Sequence, residues 1–199
     1  VQCDADTVGS DRPEADAEII AMAAEGLAAA GLEPGQAIVR VSSRQLVNGV
    51  LEAAGVSDPG QTLAVLRAVD KLDRLGLDGV RLLLGEGRLD ESGDFTKGAG
   101  LSSPGAQAVL DFLEIGAEGG DDVLGALDAV VGTTASGRAG LESLSRIRTA
   151  LKAMGVGTDR AVIDPSIVRG LEYYTGAVFE AELTLPVSDD KGRPMRFGS

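Results

Sequence analysis

From Ser103 to Met154, apolar residues recur three times over at helical spacing, and beyond Arg160 the pattern changes to that of strands. That order constrains the fold more than any other feature of the chain. The first run starts at Ser103-Pro104 and puts Ala106, Val109, Leu110 and Leu113 on one face. The second starts near Asp121 and carries Val123, Leu124, Leu127 and Val131. The third spans about Arg138 to Met154, with Leu141, Leu144, Ile147 and Leu151 inward and Gly155 and Gly157 closing it. Arg160 to Ile163 then reads as a strand broken by Pro165, and Tyr173 to Leu185 as a long β-rich run. Asp189-Asp190-Lys191-Gly192 looks like a hairpin turn.

The first part of the chain mixes both periods. Val1 to Val8 reads as a strand, with Gln2, Asp4 and Asp6 on one face and Val1, Cys3 and Ala5 on the other. A helix follows, with Ser10 or Asp11 as its cap, Pro13 in its first turn, a stripe of Ile20, Ala23, Ala24 and Leu27, and Gly31 as its stop. Ala37 to Val41 is a short strand, and a helix runs from about Arg44 to Ala54. Asp58-Pro59 opens a longer helix whose stripe is Val65, Leu66, Val69 and Leu72, ending at Gly76. The Gly- and charge-rich stretch from Gly85 to Gly100 reads as a connector. The whole predicts an α+β fold: an antiparallel sheet flanked by helices, with an inserted small all-helical subdomain. The expected division is 1–84 and 159–199 for the two parts of the core and 85–158 for the helical insertion.

Composition narrows the chemistry. Apolar residues make up 44% but aromatics only 3%, so aliphatic side chains must fill the core. Acidic residues outnumber basic ones, 31 to 18, which argues against a broad phosphate-binding surface and fits an acidic cytosolic protein. The chain has no histidine, which excludes Ser-His-Asp triads, Cys-His dyads and histidine-based metal sites within it. Cys3 is the sole cysteine, so no internal disulfide and no thiolate zinc site is expected. No apolar run approaches the ~20 residues of a membrane span, and no signal peptide opens the chain, so a cytoplasmic location is expected. Neither a G-x-x-x-x-G-K-[ST] loop nor a G-x-G-x-x-G after a strand occurs. Neither end reads like a natural terminus, and a fragment is expected.

One stretch stands apart: Arg169-Gly170-Leu171-Glu172-Tyr173-Tyr174-Thr175-Gly176-Ala177-Val178-Phe179-Glu180. Both tyrosines of the chain sit here side by side. On a strand they must face opposite ways, one into a core and one offering its hydroxyl to a pocket. Gly170 and Gly176 allow close approach to the backbone, and Arg169 offers a planar fork for a carboxylate or phosphate. From spacing alone, a buried aromatic strand with an ordinary surface arginine is the plainer reading.

This stretch closely resembles the second histidine-binding signature of histidyl-tRNA synthetases. Gln2-Cys3-Asp4-Ala5-Asp6-Thr7-Val8-Gly9 resembles the strand after the second class-defining motif of the same enzymes. Asp16-Ala17-Glu18-Ile19-Ile20 and Asp70-Lys71-Leu72-Asp73-Arg74 fall where that family has similar runs, and the helical insertion sits between, as in bacterial members. The resemblance implies a class II synthetase fold that activates histidine with ATP, accompanied by Mg2+, to histidyl-adenylate and transfers it to tRNA(His), in a homodimer. It implies that Gln2 holds the α-amino or carboxylate end of histidine. Asp6 accepts a hydrogen bond from the imidazole, where many members have Glu. Tyr174 bonds the other side of the ring with Tyr173 beside it, and Arg169 touches the α-phosphate and the carboxylate as the catalytic charge stabiliser. A carboxylate and a hydroxyl together satisfy the two ring nitrogens of histidine, a pattern few amino acids share. The family's ATP-binding arginines and its anticodon-binding domain are expected outside the chain, so the isolated 199 residues are expected to be inactive. Arg138, Arg146, Arg148 and Lys152 against the single acid Glu142 make a basic stretch, either a solvated helix face or a surface for the tRNA acceptor stem. Two other readings share the fold: a regulatory subunit of ATP phosphoribosyltransferase, which binds without aminoacylation, and a regulatory domain that senses uncharged tRNA.

Overall fold

The computed structural model describes residues 4–90, 93–118, 122–167, 174–188 and 194–195. Helix α1 (Pro13–Ala29) has Pro13 in its first turn, and Ala17, Ile20, Ala21 and Ala24 form its buried stripe. Its cap position is Arg12, whose side chain makes no cap bond; Ser10 Oγ accepts from the Arg12 N–H at 3.3 Å. Strand β1 (Ala37–Ser43) runs straight into α2 (Arg44–Ala53), because Ser43 ends the strand and caps the helix by accepting from the Gln45 N–H. Helix α3 (Pro59–Val69) is capped by Asp58, which accepts from the Gln61 N–H at 2.7 Å. The spacing predicts one helix running to Gly76. The chain instead turns at Asp70-Lys71 and starts α4 (Leu72–Leu84), which Gly76 interrupts at φ 64°. Glycine supplies that positive φ at no steric cost, so Gly76 ends the helical turn begun at Leu72, and a second helical segment continues to Leu84.

Residues 85–100 are more than a connector. They hold an antiparallel hairpin of β2 (Gly87–Leu89) and β3 (Phe95–Lys97). Helices α5 (Ser103–Glu118), α6 (Val123–Val131) and α7 (Ala135–Ala153) follow at the expected places. Helix α7 starts about a turn earlier than its apolar stripe suggests, because Thr134 caps it, Oγ1 accepting from the Gly137 N–H at 3.1 Å. Strands β4 (Ala161–Ile163) and β5 (Ala177–Leu183) come next. The short strands β6 (Val187–Ser188) and β7 (Pro194–Met195) pair antiparallel on either side of the expected hairpin turn, whose residues 189–192 lie outside the described ones.

The main sheet has the order β4-β1-β5. The antiparallel pairing holds for β1 with β5, in register from Ala37↔Leu183 to Ser43↔Ala177. Strand β4 departs from it and runs parallel to β1, Val39↔Ala161 to Val41↔Ile163. Parallel neighbours need a long crossover, and the chain between β1 and β4 contains every helix from α2 to α7. The expected N-terminal strand is corrected for residues 4–8, which are irregular and exposed. A strand persists only with a neighbour to pair with, and no described strand borders them.

Helices α1, α2 and α7 all pack on the side of the sheet that carries Ala37, Val39 and Val41. Ile20, Leu46, Leu144 and Ile147 are fully buried there. The contact of α2 with α7 is close enough to need glycine on both sides. A Cβ on Gly49 would lie 2.7 Å from the Gly137 Cα, and one on Gly140 would lie 2.9 Å from the Leu46 backbone nitrogen. The buried apolar residues of α1, α2, α5, α6 and α7 belong to one contiguous cluster. That cluster includes residues on both sides of positions 85 and 158.

Candidate functional site

The alternation that sends Val39 and Val41 into the core sends Ile38, Arg40 and Ser42 of β1, Val162 of β4, and Val178, Glu180 and Glu182 of β5 to the opposite face. This face is polar at its centre. Arg40 lies on the middle strand and reaches both ways. Its Nη1 donates to Asp164 Oδ2 at 2.7 Å, just past the end of β4, and its Nε donates to Glu182 Oε2 on β5. Asp164 is almost fully buried, at 6% exposure, whereas Arg40 and Glu182 are half-buried. Burial works against the Arg40 charge, but the bonds from Glu182 and Asp164 outweigh it and hold the guanidinium above its ordinary pKa. Arg44, in the first turn of α2, has a buried Nη1 with no hydrogen-bond partner, and burial pushes its pKa down.

The chain must get from β4 to β5 across β1, which lies between them. Because β4 runs parallel and β5 antiparallel to β1, β4 ends and β5 begins at the C-terminal end of β1, where α2 starts. Hydrogen bonds order the described residues at both ends of this connection. On the β4 side, the Asp164 N–H donates to Val41 O at 2.8 Å, and Asp164 Oδ1 accepts from the Ser166 N–H at 2.9 Å and the Ser166 hydroxyl at 2.6 Å. On the β5 side, the Arg44 N–H donates to Gly176 O at 2.8 Å and Gln45 Nε2 donates to Thr175 O at 3.1 Å. The backbone next to Tyr174 is therefore tied to the start of α2. Tyr174 itself is 51% exposed.

Of the residues expected to contact histidine, Gln2 and Tyr173, with the catalytic Arg169, lie outside the described ones. Asp6 lies in the exposed, irregular segment that leads into α1, and Tyr174 at the entrance to β5. The basic stretch of α7 does not form one face. At about 100° per residue, Arg146 and Arg148 point to nearly opposite sides of the helix. Arg146 pairs in a two-bond fork with Glu14 of α1, at 2.9 and 2.7 Å, and its guanidinium holds the Glu14 carboxyl below the ordinary range. Arg148 and Lys152 stand one turn apart on another side, and with Arg138 they are exposed. Sequence reasoning missed Arg40, Asp164 and Glu182. Their signal was the alternation of Arg40 and Ser42 with Val39 and Val41, matched by Glu180 and Glu182 on β5. Among the described residues, no cluster of three His, Cys, Asp or Glu is placed to hold a metal ion.

The comparisons with known proteins agree on one family. A family profile for histidyl-tRNA synthetase matches residues 1–183. The chain is 64% identical to a histidine-tRNA ligase of Caulobacter vibrioides over 200 aligned positions, which is all of this chain and 40% of that protein. It is 52% identical to the histidine-tRNA ligase of Cereibacter sphaeroides, again over all of this chain and 42% of the relative. The chain thus spans about two-fifths of the length of these relatives. Among solved structures, histidyl-tRNA synthetase from Nostoc sp. PCC 7120 superposes with a TM-score of 0.70 at 27% identity, over 87% of this chain and 37% of that one. A Bacillus halodurans protein described as an ATP phosphoribosyltransferase regulatory subunit/histidyl-tRNA synthetase shares the fold at 21% identity, with a TM-score of 0.68.

Proposed function

The chain belongs to the histidyl-tRNA synthetase family, and from that premise we propose that it supplies the histidine-recognition part of a histidine-tRNA ligase. The observation that carries the reading is the entrance to β5 at Tyr174, whose next two residues, Thr175 and Gly176, are bonded by Gln45 and Arg44 at the start of α2. In the proposed reaction, the histidine carboxylate attacks the α-phosphate of ATP, pyrophosphate leaves, and the adenylate passes its histidyl group to tRNA(His). Gln2 holds the amino-acid end of the substrate. Asp6 and Tyr174 take the two imidazole nitrogens, with Tyr173 alongside, and an acid with a hydroxyl suits a ring that presents one donor and one acceptor. Arg169 spreads the negative charge that builds between carboxylate and α-phosphate. Mg2+ is proposed to arrive with ATP, and no step here runs through it. The remaining ATP-binding groups are proposed to lie elsewhere in the full-length protein, which we take to be a cytoplasmic homodimer. Among the described residues, no helix is long and apolar enough to cross a membrane. Arg138, Arg148 and Lys152 are the members of the basic stretch best placed for tRNA, since Arg146 is engaged by Glu14.

The test is pyrophosphate exchange by the full-length protein. Exchange that depends on histidine and on no other amino acid is the expected result. Histidine binding without exchange would favour a regulatory subunit. The isolated 199-residue chain should not catalyse exchange, and robust exchange by it would place the ATP site within these residues.

A further inference from the structure

Two arginines stand on the polar side of the sheet, and they differ in their company. Arg40 has a carboxylate on either side, Glu182 and Asp164, and their bonds hold its pKa up. Arg44 has neither. Among the described residues no carboxylate offsets its charge, its Nη1 is buried without an acceptor, and burial alone pushes its pKa down. A surface arginine is hydrated and a buried one is paired. Arg44 is half-buried, so it has given up part of its hydration with no acid in exchange. The Arg44 N–H donates to Gly176 O, which carries the β1–β5 ladder one step beyond Ser43↔Ala177. The alternation that puts Arg40 and Ser42 on the polar face therefore puts Arg44 there too. Opposite it stands a glycine, and a Cβ on Gly176 would meet nothing within 4 Å among the described residues. The space across the ladder from Arg44 is thus open. Tyr174, the residue assigned to the imidazole, comes just before it, separated from Gly176 by Thr175 alone.

We propose that Arg44 is a substrate-binding residue, its guanidinium taking an oxyanion of the substrate beside Tyr174. The inference rests on the histidine pocket proposed above and adds a residue to it. Both small substrates of the proposed reaction carry the group that fits: histidine has a carboxylate and ATP has phosphates. A planar guanidinium bonds either one through two parallel N–H donors. Partial burial strengthens such a bond, because less water competes for the charge. Arg40 is not available for this, since Asp164 and Glu182 already accept its donors.

The experiment uses the full-length protein with Arg44→Met and Arg44→Lys, next to Asp6→Ala and Tyr174→Phe. Calorimetry gives the Kd of each variant for histidine, for ATP, and for histidinol, which keeps the ring and the amine but has no carboxylate. Unfolding midpoints are recorded alongside. The bond to Gly176 is made by the main chain, so Arg44→Met leaves it in place. If Arg44 holds the carboxylate, Arg44→Met should weaken histidine by roughly tenfold or more and leave histidinol and ATP within about twofold. If it holds a phosphate, the same loss should fall on ATP alone. Either result supports the proposal and says which oxyanion is bound. Arg44→Lys keeps the charge without the fork, so it should recover part of the loss, and it keeps the test open if Arg44→Met folds poorly. Equal weakening of all three ligands, or a lower midpoint alone, makes Arg44 structural and overturns the proposal. Unchanged binding of both histidine and ATP overturns it as well; if Asp6→Ala and Tyr174→Phe still weaken histidine in that case, the pocket stands without Arg44. If the Arg44 variants weaken histidine while Asp6→Ala and Tyr174→Phe do not, the oxyanion role stands and the ring pocket fails.

Discussion

The two faces of the β4-β1-β5 sheet are held by different physics. On one face, α1, α2 and α7 close over Val39 and Val41, and glycines bring α2 and α7 to backbone contact. On the other, Arg40 pairs with Asp164 and Glu182, and hydrogen bonds order the residues that leave β4 and enter β5. Shape complementarity is dense and unforgiving, so the first face should govern stability. The second carries the residue assigned to the imidazole, Tyr174, so it should govern binding.

The sharpest way to break that contrast is to hollow the first face. Leu144→Ala removes a fully buried side chain from α7 and should cost about 2–5 kcal/mol of stability, read by denaturant titration, with the histidine KM of the folded protein unchanged. A comparable rise in KM would show that the faces are not separable. Gly49→Ala should cost less, about 1–3 kcal/mol, because the new methyl meets the Gly137 backbone at 2.7 Å while alanine recovers some helix propensity. A stabilised Gly49→Ala variant would mean that α2 and α7 can slide apart freely. On the second face, Tyr174→Phe deletes one hydroxyl from an exposed ring. It should weaken histidine binding by roughly two- to tenfold, the worth of one neutral hydrogen bond. The smallest effect should come from Glu14→Gln, which removes the exposed α1–α7 ion pair. Arg146 holds the Glu14 carboxyl below its unfolded value, so the pair's contribution is present above that value and is lost as pH falls through the folded one. The difference in unfolding midpoint between wild type and variant should therefore shrink in acid and in high salt; a difference that grew in acid would refute the pairing.

The helical side was legible from the sequence because its information is local. Apolar stripes placed α1, α5, α6 and α7, and Asp58-Pro59 marked the start of α3. Even the late start assigned to α7 is a local error, since Thr134 was a cap in plain view. The polar face was legible only in part. The signature around Tyr174 was visible through its resemblance to a family, whereas Arg40 meets partners 124 and 142 positions away. No periodicity reports a contact of that kind; it follows from the register of β5 and from the parallel placement of β4. The strand expected before Gly9 failed at residues 4–8 for the converse reason. Its alternation was real, but alternation makes a strand only where a neighbour offers a ladder.

Recognition of the imidazole ring is the central proposed role, and Asp6 tests it most directly. Asp6→Ala in the full-length protein removes the acceptor assigned to an imidazole N–H. A hydrogen bond to a charged group is worth about 1.5–3 kcal/mol, so the histidine KM should rise by about one to two powers of ten. Arg169→Ala should instead lower turnover, by the roughly 3–4 kcal/mol that one charge-stabilising donor contributes to a transition state. The measurement is steady-state pyrophosphate exchange at saturating ATP with histidine varied. A raised histidine KM with near-normal turnover for Asp6→Ala is the predicted result; an unchanged KM would make Asp6 a surface acid and contradict the account.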